Sequence, residues 1–439
     1  MNLHEKVEFA DRATPPCPHF GPCGGCQLQH LTYAAQLNLK AARLRTLLDA
    51  TGLALPELQV HGSPPLAYRN RIRLTLAEVA GQLRAGYITS PAPDPSNLES
   101  RISNPDFLPI TECPIAAPIL WRATASLLAI INQTAAPWLR NPQFKLDQLE
   151  PFTTGDESAL QFTLYIRTAA KALPAKLNAA FTTLCETLRT EIPELNGASI
   201  AILPLASTDR SRRNEQPRAG ATWGSAGLSY AVASPAEAVI LSAAPSEVVI
   251  LSAAKNPRIS PSPVPPPATF WVPRGAFFQA NRFLLPKLLA LATANRSGQL
   301  AFDLYAGVGL FSRVLARSFA QVTAVEFAEP AASALASHKL PNLHAVKATT
   351  LDFLRVAVID RDRPDLIVLD PPRTGAGAEV CALLGRIAAP ALIYVSCSPE
   401  TLPTDLATLS ASGYSVAELH LLDLFPQTNH IETVAVLTR

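Results

Sequence analysis

The sequence predicts an α/β protein: a C-terminal parallel sheet with helices on both faces, preceded by an α+β region and a cysteine-bearing loop. Three observations carry that expectation. From Gln299 onward, apolar strands at 300–304, 322–326, 366–369 and 392–395 alternate with turns and helical segments, as parallel strands joined by helical crossovers must. Between Val60 and Trp223, short alternating strands at 71–76 and 162–166 mix with helical patterns near 118–132 and 175–190. Three of the seven cysteines fall between Cys17 and Cys26, too close together to be scattered core residues.

The 439 residues suffice for about three domains. With 37 basic and 35 acidic residues the formal charge is +2, so any attraction to nucleic acid or membrane is local rather than global. No apolar run of about 18 residues is present, and Met1 to Arg12 is charged where a secretory leader needs an apolar stretch. A cytoplasmic protein, with a monomer as default, is expected. In that reducing compartment cysteines point to metal or catalysis rather than disulfides. The forty prolines mark loop-rich stretches.

In chain order, the cysteine loop is followed by a helix from about Thr32 to Ala50, with Leu37, Leu44, Leu47 and Leu48 at helical spacing and Gly52 as its stop. These form a first unit, 1–58. The α+β region spans 59–227. Residues 228–268 read as a low-complexity insertion, because 236–244 returns almost unchanged as 246–254 and Pro257 to Pro267 follows. The last unit, 269–439, holds the parallel sheet.

Ligands of such sheets sit beyond the carboxyl ends of the strands. There the sequence has Asp303-Leu-Tyr305-Ala-Gly307-Val-Gly309, a glycine turn opening a helix, and Glu326 at the end of the next strand. An acidic side chain at that point accepts hydrogen bonds from ribose hydroxyls, so an adenosine-containing cofactor is expected. NAD fits equally well, although Ser312 replaces the third glycine of a dinucleotide fingerprint. The strand Leu366 to Leu369 ends in Asp370-Pro-Pro-Arg373, where the prolines stop the ladder and present the carboxylate. The next strand ends at Cys397, between two serines, a candidate nucleophile; Cys185 and Cys381, on helical patterns, read as core thiols. Glu432 opens the last strand as a candidate base, and His430 beside it reads as structural. Arg69, Arg71 and Arg73 alternate at period two, which suits either phosphate contact or a solvated face. Arg210, Arg212, Arg213 and Arg218 form a second basic stretch.

Taken together, Phe277-Phe-Gln279-Ala-Asn281, Asp303 to Gly309, Asp370 to Arg373, Ser396 to Leu402, His430 to Ala435 and the N-terminal cysteines resemble the RNA uracil-5 methyltransferases, specifically the iron-sulfur members acting on large-subunit, 23S, ribosomal RNA. The resemblance runs from about Cys17 to Arg439, apart from the insertion. It implies a Rossmann-like class I methyltransferase sheet, S-adenosylmethionine as methyl donor, and RNA as partner with no membrane or protein partner. It further implies that the Cys397 thiolate adds to uracil C6, that Glu432 removes the C5 proton, and that Gln279, Tyr305, Glu326 and Asp370 hold the cofactor. By the same resemblance Cys17, Cys23, Cys26 and Cys113 hold a [4Fe-4S] cluster; the residues alone also allow zinc, although only one Cys-x2-Cys knuckle is present. The cluster's role is expected to be structural, with redox regulation an alternative.

The chain departs from the family in three places. Only sixteen residues precede Cys17, so the small β-barrel RNA-binding domain (TRAM) of many relatives is expected to be absent. Leu310 and Thr349 stand where relatives have Asn and Asp, and the 228–268 segment has no counterpart. Competing readings are a transfer-RNA uracil-5 methyltransferase, a cytosine-5 or amino-group methyltransferase, and a non-catalytic iron-sulfur RNA-binding relative. Arg373 in place of an aromatic residue, and the lack of a second cysteine beside Cys397, weigh against the cytosine and amino readings.

Overall fold

The computed structural model describes residues 11–89, 106–134, 144–170, 173–205, 217–232 and 268–439. The repeat, the proline-rich tail and Arg210, Arg212 and Arg213 lie outside them. The N-terminal part contributes α1 (Tyr33–Asp49) and β1 (Leu58–His61). Thr32 caps α1, its hydroxyl accepting from Ala35 N at 3.3 Å, which satisfies one of the donors a helix start leaves open.

A seven-stranded sheet follows, built from β2 (Leu74–Val79), β3 (Gln82–Thr89), β4 (Asp106–Pro109), β5 (Lys145–Thr153), β6 (Leu160–Arg167), β7 (Leu195–Leu203) and β8 (Arg218–Gly224), in the order β4-β3-β2-β5-β6-β7-β8. Only β6 and β7 are parallel, joined through α3 (Ala175–Glu191), which packs with α2 (Pro118–Thr134) against the sheet. Cys185 is fully buried in that core. The arginine triplet precedes β2 instead of lying within it: Arg69 and Arg71 make only isolated bridges.

The two ends of the 228–268 segment are ordered. β9 (Gly227–Val232) and β10 (Ala268–Pro273) form an antiparallel ribbon. Its Tyr230 and Phe270 meet Phe278 and Phe152, with the Tyr230 and Phe278 rings 4.7 Å apart, so one aromatic cluster joins the central sheet to the C-terminal core.

The C-terminal region opens with α4 (Leu285–Thr293) and continues through β11 (Gly298–Leu304), α5 (Ser312–Leu315), β12 (Phe319–Glu326), α6 (Ala331–Ala336), β13 (Leu343–Lys347), α7 (Thr350–Ile359), β14 (Leu366–Leu369), α8 (Ala378–Ile387), β15 (Ala391–Ser396), α9 (Leu402–Ala411), β16 (Ser415–Leu422) and β17 (Glu432–Thr438). The sheet order is β1-β16-β17-β15-β14-β11-β12-β13, all parallel except β17, which runs antiparallel to both neighbours. β14 is buried at every residue, as a strand covered on both faces requires. The order reverses between β11 and β14, and at such a switch point the crossovers diverge and open a crevice above the strand ends. The first unit is built into this sheet: β1 pairs in parallel with β16, and Leu44 and Leu48 of α1 share a core with Phe302, Leu304, Leu369 and Leu392.

Candidate active site

Above the switch point the backbone turns sharply. Tyr305, Gly307 and Gly309 have φ of 61°, 57° and 88°, a region L residues avoid and glycine tolerates. Asp303, fully buried near the end of β11, accepts from Ser312 N at 2.7 Å through Oδ2 and thereby fixes the loop to the start of α5. Its Oδ1 is buried without a partner, and burial pushes the carboxyl up to about 7. Glu326 accepts from Gly307 N at 2.9 Å and Ala328 N at 2.6 Å, which orients its carboxylate at the crevice. The half-buried Tyr305 packs against the core below.

β14 delivers Asp370 beside this loop. Asp370 N donates to Leu304 O at 3.3 Å, and Gln279 Nε2 donates to Asp370 Oδ2 at 3.3 Å. Gln279 is held by Asn70, whose amide donates to its carbonyl at 3.0 Å. Burial, and next the charge of Asp303, push Asp370 up to about 7. Asp303, Glu326 and Asp370 thus gather at adjoining strand ends, with Gln279 bonded to Asp370.

Register brings the thiol and the last acid together. In the β15–β17 pair Ser396 lies opposite Thr433, so the next pair outward is Cys397 and Glu432. Each acts on its surroundings as that proximity requires. Burial, then the charges of Glu432 and Asp370, push the Cys397 thiol up to about 11, while Arg373 opposes them. Glu432 is 3% exposed and its carboxyl is driven upward by burial and by Asp370, again opposed by Arg373. The exposed Arg373 also donates to His430 Nδ1 at 3.4 Å, and the His430 ring packs on Phe425.

Arg373 is the residue that sequence reasoning missed at this site. It follows Asp-Pro-Pro in the sequence, leaves the same strand end as Asp370 and supplies positive charge near both Cys397 and Glu432. Phe277, which opens the Phe-Phe-Gln-Ala-Asn stretch, is 70% exposed. Leu310 is buried in the core, and Thr349 caps α7 by accepting from Asp352 N at 3.1 Å. Cys381 is buried beneath the sheet.

The N-terminal cysteines lie on the far side of Arg69. Charge on Cys17 acts on Cys23 and Cys26, charge on Cys26 acts on Cys113, and the Arg69 guanidinium lowers both Cys26 and Cys113 against the upward effect of burial. His19 and Thr111 tie the two segments, with Thr111 N donating to His19 Nε2 at 3.1 Å. Among the described residues no three His, Cys, Asp or Glu side chains converge as a single metal ion requires. The four thiols therefore share a neighbourhood without the compact arrangement of a mononuclear site.

Arg71 and Arg73 also make contacts within the protein, while Arg73 remains exposed. Arg71 donates to Ala276 O at 2.7 Å and lies over the Phe152 ring; Arg73 Nε donates to Glu150 Oε2 at 2.6 Å and its Nη2 to Tyr165 OH at 2.9 Å. Arg69 faces the cysteines and the Phe425 ring.

The sheet order, the glycine turn and the acidic strand ends define the class: an S-adenosylmethionine-dependent methyltransferase. The crystal structure of Pyrococcus abyssi tRNA (uracil-54, C5)-methyltransferase in complex with S-adenosyl-L-homocysteine superimposes with a TM-score of 0.62 at 20% identity, covering 95% of this chain and 86% of that one. Residues 268–439 match the family model described as tRNA (Uracil-5-)-methyltransferase. The 23S rRNA (uracil(1939)-C(5))-methyltransferase RlmD of Chromohalobacter salexigens is 28% identical over 98% of this chain and 77% of its own length. The enzyme of the same description from Pectobacterium atrosepticum is 27% identical over 97% and 80%. Residues 268–439 thus belong to the family of that model, and the chain as a whole is similar to S-adenosylmethionine-dependent RNA uracil-5-methyltransferases. No helix among the described residues is long and apolar enough to cross a membrane.

Proposed function

We propose that the protein methylates C5 of a uridine in 23S ribosomal RNA, in the cytoplasm, through a covalent adduct between Cys397 and uracil C6. The observation that supports the reading is that Cys397 and Glu432 lie just beyond the last β15–β17 pair, where each feels the charges of Asp370 and Arg373. Uracil C5 is a weak nucleophile. Addition of the Cys397 thiolate to C6 forms the S–C6 bond and moves the ring electron pair toward C5 and O4. When bound, S-adenosylmethionine supplies an electrophilic methyl group to C5. Glu432 then takes the C5 proton, the electron pair returns to the C5–C6 bond, and the S–C6 bond breaks to release 5-methyluridine. Burial raises both groups: the Glu432 carboxylate, once ionised, is the more basic for it, whereas the Cys397 thiolate is disfavoured, and Arg373 is the cation that offsets this. A uridine inside a helix cannot present its ring face, so the target is unpaired or flipped.

The cofactor residues of this reading are Gln279, Tyr305, Glu326 and Asp370. The unpaired Asp303 Oδ1 and the neighbouring carboxylates suit a ligand that carries positive charge. Cys17, Cys23, Cys26 and Cys113 would hold a [4Fe-4S] cluster through their thiolates. Arg69 would balance part of its negative charge.

The test is a pair of variants. Cys397→Ala abolishes methyl transfer and adduct formation while RNA binding survives; Glu432→Gln slows turnover by about 10²- to 10⁴-fold and leaves a denaturant-stable protein–RNA adduct. Methyl transfer persisting in Cys397→Ala contradicts the mechanism.

A further inference from the structure

Glu432 reaches the site at the end of a loop, 423–431, that has no regular structure of its own, and the groups that shape this loop come from the N-terminal segment. Lys40, on α1 and 2% exposed, donates to Asp423 Oδ1 at 2.6 Å and to Phe425 O at 3.0 Å. Gln36, one helical turn earlier, makes a reciprocal pair with Gln427: its Nε2 donates to Gln427 Oε1 and its Oε1 accepts from Gln427 N, both at 2.9 Å. Gln427 has φ of 68°, a backbone state that a glutamine holds only when its surroundings impose it. Gln427 O accepts from Gln27 N and Leu28 N, immediately after Cys26, at 2.9 and 3.0 Å, and Asn429 N donates to Gln27 Oε1 at 3.3 Å. Tyr68 OH donates to Pro426 O at 3.0 Å. Both glutamines are buried, so water does not replace these bonds when they are lost.

We propose that Gln36 and Gln427, with the Lys40–Asp423 pair, are positioning residues for the proton-removal step: the N-terminal helix sets the loop that aims Glu432 at the adduct. None of them touches the reacting atoms. The proposal rests on the reading of Cys397 as nucleophile and Glu432 as base. A misplaced base affects one step only, because addition and methylation still occur while resolution of the adduct lags.

The experiment follows methylated RNA and denaturant-stable adduct in parallel, using the full-length protein with labelled S-adenosylmethionine and 23S ribosomal RNA. Gln36→Leu keeps the side-chain volume and removes the amide. Gln427→Gly removes the side chain while glycine adopts the left-handed backbone without strain. Both variants are expected to lose roughly 10- to 100-fold in kcat, to bind S-adenosylhomocysteine as the parent does, and to accumulate adduct carrying the methyl group. Parent-like turnover, or a uniform loss without accumulated adduct, overturns the proposal if Glu432→Gln accumulates adduct in the same assay. Failure of Glu432→Gln to accumulate adduct overturns the reading of the base, and this proposal with it.

Discussion

Asp370 and Cys397 are partly buried groups whose charged forms are disfavoured by their surroundings. For Asp370 the consequence is a defined pH dependence. Its folded value, about 7, lies above the ordinary carboxyl range near 3.9, so in the free protein the ionised form opposes folding above pH 7, and that cost disappears as the pH falls toward about 4. Asp370→Asn is therefore expected to melt above the parent at pH 8 and to converge with it near pH 4, a comparison that thermal scans make directly. Binding of a cationic cofactor works in the opposite sense, since it needs the ionised carboxylate. Affinity for S-adenosylmethionine is expected to weaken below pH 7 with proton uptake on release, and affinity for S-adenosylhomocysteine, which lacks the sulfonium charge, to vary less. Calorimetry in two buffers of different ionisation enthalpy reads both; equal pH profiles for the two ligands contradict the role given to Asp370. These positions were legible in the sequence because strand-terminal chemistry is local: an apolar strand ending in Asp-Pro-Pro or in Ser-Cys-Ser announces its own boundary. Arg373 was not legible, since its value lies in proximity to Cys397 and Glu432, on other strands.

At the scale of elements, α1 shows what local pattern leaves out. Its leucines predicted a helix, and α1 occupies almost the span expected, but nothing in their spacing says which surface they meet. In the fold Leu44 and Leu48 are fully buried against the C-terminal sheet, and β1 extends that sheet beyond β16. Leu44→Ala is expected to cost about 2–5 kcal/mol, and the loss appears as faster amide exchange in β1 and β16 as well as in α1. Exchange confined to α1 would contradict the shared core. The partners of the arginine row were hidden for the same reason. Period two is a property of the local chain, whereas Glu150 and Tyr165, which engage Arg73, come from β5 and β6.

Across the whole molecule, one chain path links three functions that the sequence presents as separate motifs. The cysteine loop hydrogen-bonds to the loop leading into Glu432, the aromatic cluster of Phe152, Tyr230, Phe270 and Phe278 fastens the central sheet to the catalytic core, and Gln279 is reached from the central region through Asn70. The alternation of strand and helix made the C-terminal sheet legible; the long-range packing that makes the N-terminal segment part of the same core was not. The central claim, uracil-5 methylation of large-subunit ribosomal RNA, is tested most directly by incubating the purified protein with S-adenosylmethionine and unmodified 23S ribosomal RNA or transfer RNA, then mapping the products by mass spectrometry of nuclease fragments. The expected result is 5-methyluridine at a discrete position of the 23S RNA; methylation of transfer RNA alone, or of neither RNA, would contradict it.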